Sequence, residues 1–167
     1  MLEMQMALRR TTKSVKRGVN FSMNPKITSA GGLVVRYRDL RWETALVGSG
    51  TPTVWRIPKG MQVEGEAIEQ TAVREVREES GLDGAPLELI GTGSWTYQYG
   101  GRDRDKTCYY FLMRCIGGDI NDHDEEYDQI DWFGLEDSVE LLYYTIEKEI
   151  ALDAVVLLKK YRPADFI

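Results

Sequence analysis

Hydrophobic positions in this chain alternate with polar ones in several short runs and recur at helical spacing in two longer segments. The runs SAGGLVVRYR, from Ser29, and ETALVGS, from Glu43, have the β-branched, alternating composition of neighbouring strands. Residues 39–42 connect them, which predicts a hairpin. After a turn at residues 50–52, TVWRIPKG predicts a short strand that leads into a glycine-bracketed loop.

The rest of the chain predicts one helix, further strands and then two more helices. The first helix spans residues 67–80 and ends at Gly81, because a glycine followed by a hydrophobic residue is typical of a left-handed C-cap. A second hairpin is predicted, with GGRDRDK as its turn and TCYYFLMRCI as its returning strand. The other predicted elements are strands at 87–90, 93–99 and 129–133 and helices at 135–142 and 145–161. This order predicts an α/β fold, a layered α/β/α sandwich in which helices cover both faces of a mixed β-sheet.

Three acidic side chains lie on one face of the first predicted helix. Glu75, Glu78 and Glu79 occupy positions i, i+3 and i+4, which an α-helix gathers within an arc of about 100°. Two carboxylates about 5 Å apart repel each other by roughly 3 kcal/mol at an effective dielectric constant near 20. A divalent cation would reverse that effect, and oxygen ligands without Cys or His favour Mg²⁺ or Mn²⁺ over zinc. The alternative is a Glu-rich helix face that is simply solvated.

The residues around these acids favour a built site over a solvated face. Gly60 and Gly65 bracket the loop before the helix, where glycine lets backbone carbonyl oxygens approach a metal ion closely. The opposite side of the helix carries an apolar stripe that would pack on the sheet. The stripe consists of Ile68, Ala72, Val73 and Val76.

The stretch from Gly60 to Leu82 resembles the signature box of the Nudix hydrolases, G-x5-E-x7-R-E-U-x-E-E-x-G-U, where U is an aliphatic residue. Every fixed position of the box is present. They are Gly60, Glu66, Arg74, Glu75, Val76, Glu78, Glu79, Gly81 and Leu82. The resemblance covers about residues 28–161 and implies the same α/β/α sandwich.

The resemblance also implies a reaction and a set of residue roles. Nudix hydrolases cleave a nucleoside diphosphate linked to another group, with water attacking phosphorus and Mg²⁺ neutralising phosphate charge. Arg74 would orient a carboxylate by a charge-assisted hydrogen bond, and Glu66 would stabilise the loop and helix. Glu75 would bind metal or act as the general base. The implied metal ligands are the Gly60 carbonyl oxygen, Glu75, Glu78 and Glu79.

A further acid is expected from the segment HDEEYDQIDWFGLED. Many members of the family supply a glutamate from a distant loop, and the resemblance places that catalytic and metal-binding acid at Glu126, with Glu125 as the alternative. Because the segment is a run of acidic residues, it could also be a solvated loop without a catalytic role.

Three short runs, WRIPKG, KTCYYFL and EEYDQIDWFGLE, resemble the subgroup that hydrolyses diadenosine tetraphosphate and related dinucleoside polyphosphates. The resemblance implies that Lys106 and Tyr110 contribute to phosphate and adenine binding. Lys59 could meet phosphate as a point charge. Other aromatic side chains either stack on a base or pack within the sheet. They are Trp55, Tyr97 and Tyr99.

Composition and charge fit one domain of 167 residues, with 43% apolar and 29% charged residues and no apolar run long enough for a membrane span. Residues 1–26 carry six basic side chains and one acid, and the remaining residues hold 15 basic and 26 acidic side chains. We therefore divide the chain into a basic N-terminal extension, 1–26, and a Nudix hydrolase domain, 27–167. The extension could be a targeting peptide, a polyanion-binding arm or an extended start.

The acidic domain argues against nucleic-acid binding, which needs a basic face. Cys108 and Cys115 are separated by an odd spacing within one predicted strand, so they point to opposite faces and predict no disulfide, as expected in the cytoplasm. We expect a monomer or homodimer that binds a small nucleotide.

Three functions follow. The first is a dinucleoside polyphosphate hydrolase. The second is a nucleotide-pool sanitising pyrophosphohydrolase that acts on oxidised or non-standard nucleoside triphosphates. The third is a non-catalytic nucleotide sensor, which is disfavoured because every acid of the box is present.

Overall fold

The computed structural model describes residues 24–167, so the predicted basic extension lies almost entirely outside the described residues. A seven-stranded mixed sheet forms the centre of the described chain, with the strand order β3-β2-β1-β6-β5. β4 and β7 pair with β1 and β2, and only the central pair of β1 with β6 is parallel among these pairings. The strands are β1 (Lys26–Arg38), β2 (Arg41–Ser49), β3 (Val54–Arg56), β4 (Lys59–Met61), β5 (Leu82–Tyr99), β6 (Arg102–Gly118) and β7 (Gln129–Gly134).

Helices cover both faces of the sheet. They are α1 (Ile68–Ser80), α2 (Leu135–Leu141) and α3 (Thr145–Leu158). Because successive residues of a strand point to opposite faces, Leu33 of β1 packs in the core beneath α3, whereas Val34 packs in the core beneath α1. The predicted α/β class and the α/β/α sandwich with a mixed sheet are confirmed.

Helix α1 forms as its sequence predicts. The side chain of Gln70 accepts a hydrogen bond from the Ala67 N–H at 2.8 Å, which satisfies one free donor at the start of the helix. At the other end Gly81 has a φ of 73° and its N–H bonds to the Arg77 carbonyl at 3.0 Å. The predicted apolar stripe packs against the sheet, so the acidic face is left for chemistry.

The second hairpin differs from its prediction. The predicted strands 87–90 and 93–99 are parts of one long strand, β5, and the predicted seven-residue turn GGRDRDK was wrong. The reversal needs only Gly100 and Gly101, whose positive φ values of 61° and 72° suit a tight turn. The charged residues that follow belong to β6, because a two-stranded ribbon with exposed faces tolerates polar side chains on both sides.

The cysteines and the end of α3 were also predicted from the sequence. Cys108 and Cys115 are free thiols, as predicted. Helix α3 ends at Leu158, three residues before the predicted end. Within residues 24–167, none of the helices has both the length and the apolar character that crossing a bilayer requires.

Candidate active site

The acidic face of α1 lies against β4, and glycine at position 60 makes that approach possible. Gly60 pairs with Ala30 across the β4–β1 ladder. A Cβ atom at position 60 would overlap the carboxylate of Glu75. The Gly60 backbone and the Glu75 carboxylate are therefore in direct contact, as expected for two groups that would share a cation.

Glu79 is the most enclosed of the three acids, with only 1% of its surface exposed. Its Oε2 accepts a hydrogen bond from the Lys59 backbone N–H at 2.8 Å. Burial raises the pKa of Glu79 to about 8, and the negative charges of Glu126 and Glu75 act in the same direction. A buried carboxylate with so few donors is poorly satisfied as an anion, so a cation beside it would be strongly stabilising.

Glu75 has a similar environment. Burial raises its pKa, Arg74 opposes that effect, and the charges of Glu78 and Glu126 add to it. Glu78 is more open, with 49% of its side chain exposed. Of the three α1 carboxylates, Glu75 and Glu79 are thus largely buried, and Glu78 lies at the solvent edge.

The loop before β7 brings Glu126 towards these acids. The Asp124 N–H donates to the carbonyl of Glu78 at 2.8 Å, which fixes the loop to the last turn of α1. The Glu126 N–H in turn donates to the Asp124 carboxylate at 2.9 Å. The charge of Glu126 raises the pKa of both Glu75 and Glu79, so Glu126 lies within electrostatic reach of both acids.

Arg74 bonds to three of the carboxylates in this cluster. Its guanidinium donates to Glu66 at 2.6 Å, to Glu75 at 2.7 Å and to Glu78 at 3.1 Å. Another of its N–H groups donates to the Met61 carbonyl at 3.0 Å. Arg74 thus joins the loop after β4 to the acidic face of α1, which is an orienting arrangement of the kind that its position in the box implies.

Glu66 connects the loop to the helix. It accepts hydrogen bonds from the Val63 N–H and from the hydroxyl of Thr71, in addition to those from Arg74. The bond from Arg74 lowers the pKa of Glu66 to about 2. Its bonds therefore tie the loop and the first turns of α1 together.

The donor set fits a hard divalent cation. All the groups are carboxylate or carbonyl oxygens, the ligands preferred by Mg²⁺ and Mn²⁺. Among residues 24–167, however, no three acidic, His or Cys side chains already converge closely enough to enclose an ion. One N–H group of Arg74 instead contacts both Glu75 and Glu78, at 2.7 and 3.1 Å.

The three predicted substrate contacts lie in different environments. Lys106, on β6, is half-buried with its ammonium 5.7 Å from the ring centroid of Trp95. Burial and the positive charge of Lys59 lower its pKa, and the charges of Glu79 and Glu75 oppose this, so Lys106 is within electrostatic reach of the acids. Its side chain is partly exposed to solvent.

Lys59 and Tyr110 point into the core instead. The Lys59 ammonium lies 2.8 Å from Oε1 of Glu147, and its side chain is only 12% exposed. Tyr110 has no exposed surface and packs in the core beneath α3. Lys59 is therefore paired with Glu147, and the Tyr110 hydroxyl is buried without a hydrogen-bond partner among the described residues. Lys106 and Tyr110 point to the same face of β6, but only Lys106 is partly exposed there.

Two residues beside the acids were not predicted. Tyr127 is 6% exposed, and burial together with the charge of Glu79 raises its pKa to about 12. Glu147 is fully buried at the start of α3. A signal for Glu147 was available, because it shares the helical spacing of Ile150, Ala151 and Ala154 and so lies on the apolar face of its helix.

Two cavities of about 340 and 360 Å³ lie elsewhere on the surface. One is lined by residues of the β1–β2 turn and α2, the other by the ends of β1 and β6, and neither includes an acid of the cluster. The site is therefore identified by its chemistry and not by a deep cavity.

Comparisons with known proteins match most of this chain. A family model described as NUDIX domain matches residues 30–154. A relative from Mycobacterium tuberculosis (strain CDC 1551 / Oshkosh) named "Putative mutator protein MutT4" is 34% identical over 160 residues, which cover 92% of this chain and 64% of that protein. The chain thus spans somewhat less than two thirds of that relative's length.

A second relative and a solved structure carry names that refer to a different substrate of their own. The asymmetrical bis(5′-nucleosyl)-tetraphosphatase of Sus scrofa is 30% identical over 97 residues, covering 58% of this chain and 66% of that protein. The crystal structure of a Caenorhabditis elegans Ap4A hydrolase binary complex shares the fold, with a TM-score of 0.60 at 20% identity over 81% of this chain and 99% of that one. With the complete box in place on α1, the chain belongs to the Nudix family of hydrolases, which act on pyrophosphate bonds.

Proposed function

We propose that this protein is a Mg²⁺-dependent hydrolase of a dinucleoside polyphosphate such as diadenosine tetraphosphate. The observation that carries the proposal is the buried acid pair of Glu75 and Glu79 against Gly60, with Lys106 within electrostatic reach. The substrate would bind with its polyphosphate chain between this acid cluster and the Lys106 ammonium.

The acids of α1 hold the divalent cation in this proposal. The donors are the Gly60 carbonyl and the carboxylates of Glu75, Glu78 and Glu79, with Glu126 closing the site from the loop. Once bound, Mg²⁺ or Mn²⁺ neutralises phosphate charge and lowers the pKa of the attacking water. Arg74 would keep Glu75 and Glu78 oriented towards the cation through its contacts with both carboxylates.

Lys106 and Trp95 support a dinucleotide as the substrate. A half-buried ammonium beside an indole ring combines a charge for phosphate with a flat apolar surface for a base. Tyr97 lies two residues after Trp95 on β5, so both side chains point to the same face of the sheet. The tetraphosphatase relative supports the same class of substrate.

The test is a hydrolysis panel with identified products. Purified full-length protein is incubated with Mg²⁺ and diadenosine tetraphosphate, nucleotide sugars, oxidised nucleoside triphosphates or capped RNA. The proposal expects diadenosine tetraphosphate to give the highest kcat/KM, with ATP and AMP as products. A highest kcat/KM for any other member of the panel would contradict it.

A nucleotide-pool sanitising pyrophosphohydrolase is the second candidate. The 34% identity with the mycobacterial relative, whose name calls it a mutator protein, favours this second function. This function expects an oxidised or non-standard nucleoside triphosphate to be the best substrate, with release of pyrophosphate and a nucleoside monophosphate. The two candidates thus differ in the products that the same panel detects.

A further inference from the structure

A buried ion pair lies next to the short segment that contacts the acid cluster. The Lys59 ammonium contacts Glu147 Oε1 at 2.8 Å, with the lysine side chain 12% exposed and the glutamate fully buried. Burial alone would lower the pKa of Lys59, yet Glu147 holds it well above its ordinary value. The two groups are therefore in direct contact and largely removed from water. The desolvation of such a pair consumes most or all of its Coulomb attraction, so stability alone is a weak reason for it.

The pair is joined to the acids by the backbone between β3 and β4. Glu147 Oε2 accepts the Ile57 N–H at 3.1 Å, while Oε1 holds the Lys59 ammonium. On the other side of the same segment, the Lys59 N–H donates to Glu79 Oε2 at 2.8 Å. Residues 57–60 are thus held between two buried carboxylates, one from α3 and one from α1.

The other backbone restraints on this segment come from β1. β4 is three residues long, and Pro58 has no N–H to donate. The Pro58 carbonyl accepts the Gly32 N–H at 3.2 Å, and three residues of β4 pair with β1. Because Gly60 contacts Glu75 and Lys59 bonds to Glu79, a shift of this segment would move both acids.

We infer that Glu147 is a positioning residue for the acid cluster, which acts through Lys59 to fix residues 57–60 against Glu75 and Glu79. In this role Lys59 contacts Glu147 instead of substrate phosphate. The inference rests on the proposed function in one respect, that Glu75 and Glu79 bind a divalent cation. It predicts that loss of the ion pair weakens cation binding although no cation ligand has been changed.

The decisive variant is the double substitution of Lys59→Met with Glu147→Gln. Glu147→Gln alone would leave an unpaired ammonium behind the acids, which would itself repel a cation. The double variant removes one charge of each sign, so it leaves the net charge unchanged and buries no unpaired ion. The control for a disrupted ion pair is Glu43→Gln, which removes the carboxylate partner of Arg36 and Arg41 away from the acid cluster, although it also changes the net charge by one.

The readout is the affinity for Mn²⁺, measured from the electron paramagnetic resonance signal of free Mn²⁺ during titration of the full-length protein. Removing an outer partner of a metal ligand typically weakens metal binding by about tenfold or more. We expect that loss for the double variant, while Glu43→Gln stays within about twofold of the unsubstituted protein. Far-ultraviolet circular dichroism and urea unfolding establish that each variant is folded.

Several results would overturn the inference. One is unchanged Mn²⁺ affinity in the double variant, and another is an equal loss in the double variant and Glu43→Gln, which would indicate general destabilisation. A raised KM with unchanged Mn²⁺ affinity would place Lys59 on substrate. If the double variant fails to fold, Glu147→Asp serves instead: the carboxylate is withdrawn by one methylene, and an unchanged Mn²⁺ affinity would again refute the inference.

Failure of the proposed function has a different signature. If the unsubstituted protein binds Mn²⁺ but hydrolyses no nucleotide in the panel, the proposed function is refuted and the comparison of variants still tests the ion pair. If the unsubstituted protein does not bind Mn²⁺, both the cation site and this inference are refuted.

Discussion

Replacing Glu79 by glutamine should make the cation-free protein more stable at high pH. Burial raises the pKa of this carboxyl from 4.5 to about 8 in the folded state. An acid whose folded pKa is raised contributes stability that is fully present below the pKa of the unfolded chain and is lost as pH rises through the folded pKa. Glutamine cannot ionise, so Glu79→Gln removes this loss while it keeps the side-chain oxygen that accepts the Lys59 N–H.

The magnitude follows from the same two pKa values. Between pH 4.5 and about 8, the free energy of unfolding should fall by about 1.4 kcal/mol per pH unit relative to the variant. The total approaches 5 kcal/mol on an order-of-magnitude basis. No reduction for solvent exposure applies, because Glu79 is only 1% exposed.

The assay is urea unfolding of both proteins in EDTA, at half-unit steps from pH 5 to pH 9. The quantity to plot is the difference in free energy of unfolding, because groups common to both proteins, such as Glu66 with its lowered pKa, largely cancel. We expect the difference to grow in favour of Glu79→Gln up to about pH 8 and then to level off. A difference that stays constant from pH 5 to pH 9 would refute the buried, cation-dependent character of Glu79.

Three further predictions concern the surroundings of Glu79. Gly60→Ala should displace Glu75, because the new Cβ would overlap its carboxylate, and should lower kcat by at least tenfold. Gly65→Ala has open space around it and should cost only about 1 kcal/mol of stability in urea unfolding. Equal kcat losses for the two variants would contradict this prediction. Lys106→Met should raise KM for diadenosine tetraphosphate by about tenfold with little change in kcat, as expected for a lost charged contact, and an unchanged KM would exclude Lys106 from the phosphate site. Glu126→Gln removes a negative charge that raises the pKa of Glu79. The pH at which the unfolding difference levels off should therefore move to lower values in a Glu126→Gln background. An unchanged levelling pH would mean that the charge of Glu126 does not act on Glu79.

Local patterns were enough to predict most of the fold. The i, i+3, i+4 spacing in α1 sorts Val76 to the core and Glu75 and Glu78 to the other face, and Gly81 marks the end of the helix by its left-handed conformation. The turn of the second hairpin was overextended because RDRDK is polar like a loop. These residues instead pair with β5, because Gly100 and Gly101 alone are enough to reverse the chain.

The sequence predicted those site residues that belong to one helix. It did not predict the contacts between residues that are distant in the chain. The acids of the box belong to one helix, so their spacing alone places them together. Glu147 and Lys59 are separated by 88 positions, and their contact depends on how α3 packs across the sheet. Tyr110 is a second example. The run KTCYYFL predicted that it contacts substrate, whereas its side chain is completely buried in the structure.

The central claim is that the carboxylates of α1 bind the cation that the hydrolysis requires. The most direct measurement is kcat at saturating Mg²⁺ for Glu79→Gln, with the exposed Glu69→Gln on the same helix as the control. The account predicts a loss of at least about a hundredfold, roughly 3 kcal/mol of transition-state stabilisation, for Glu79→Gln and nearly unchanged turnover for the control. Near-normal turnover by Glu79→Gln, in a protein that is folded, would contradict the assignment of Glu79 as a cation ligand.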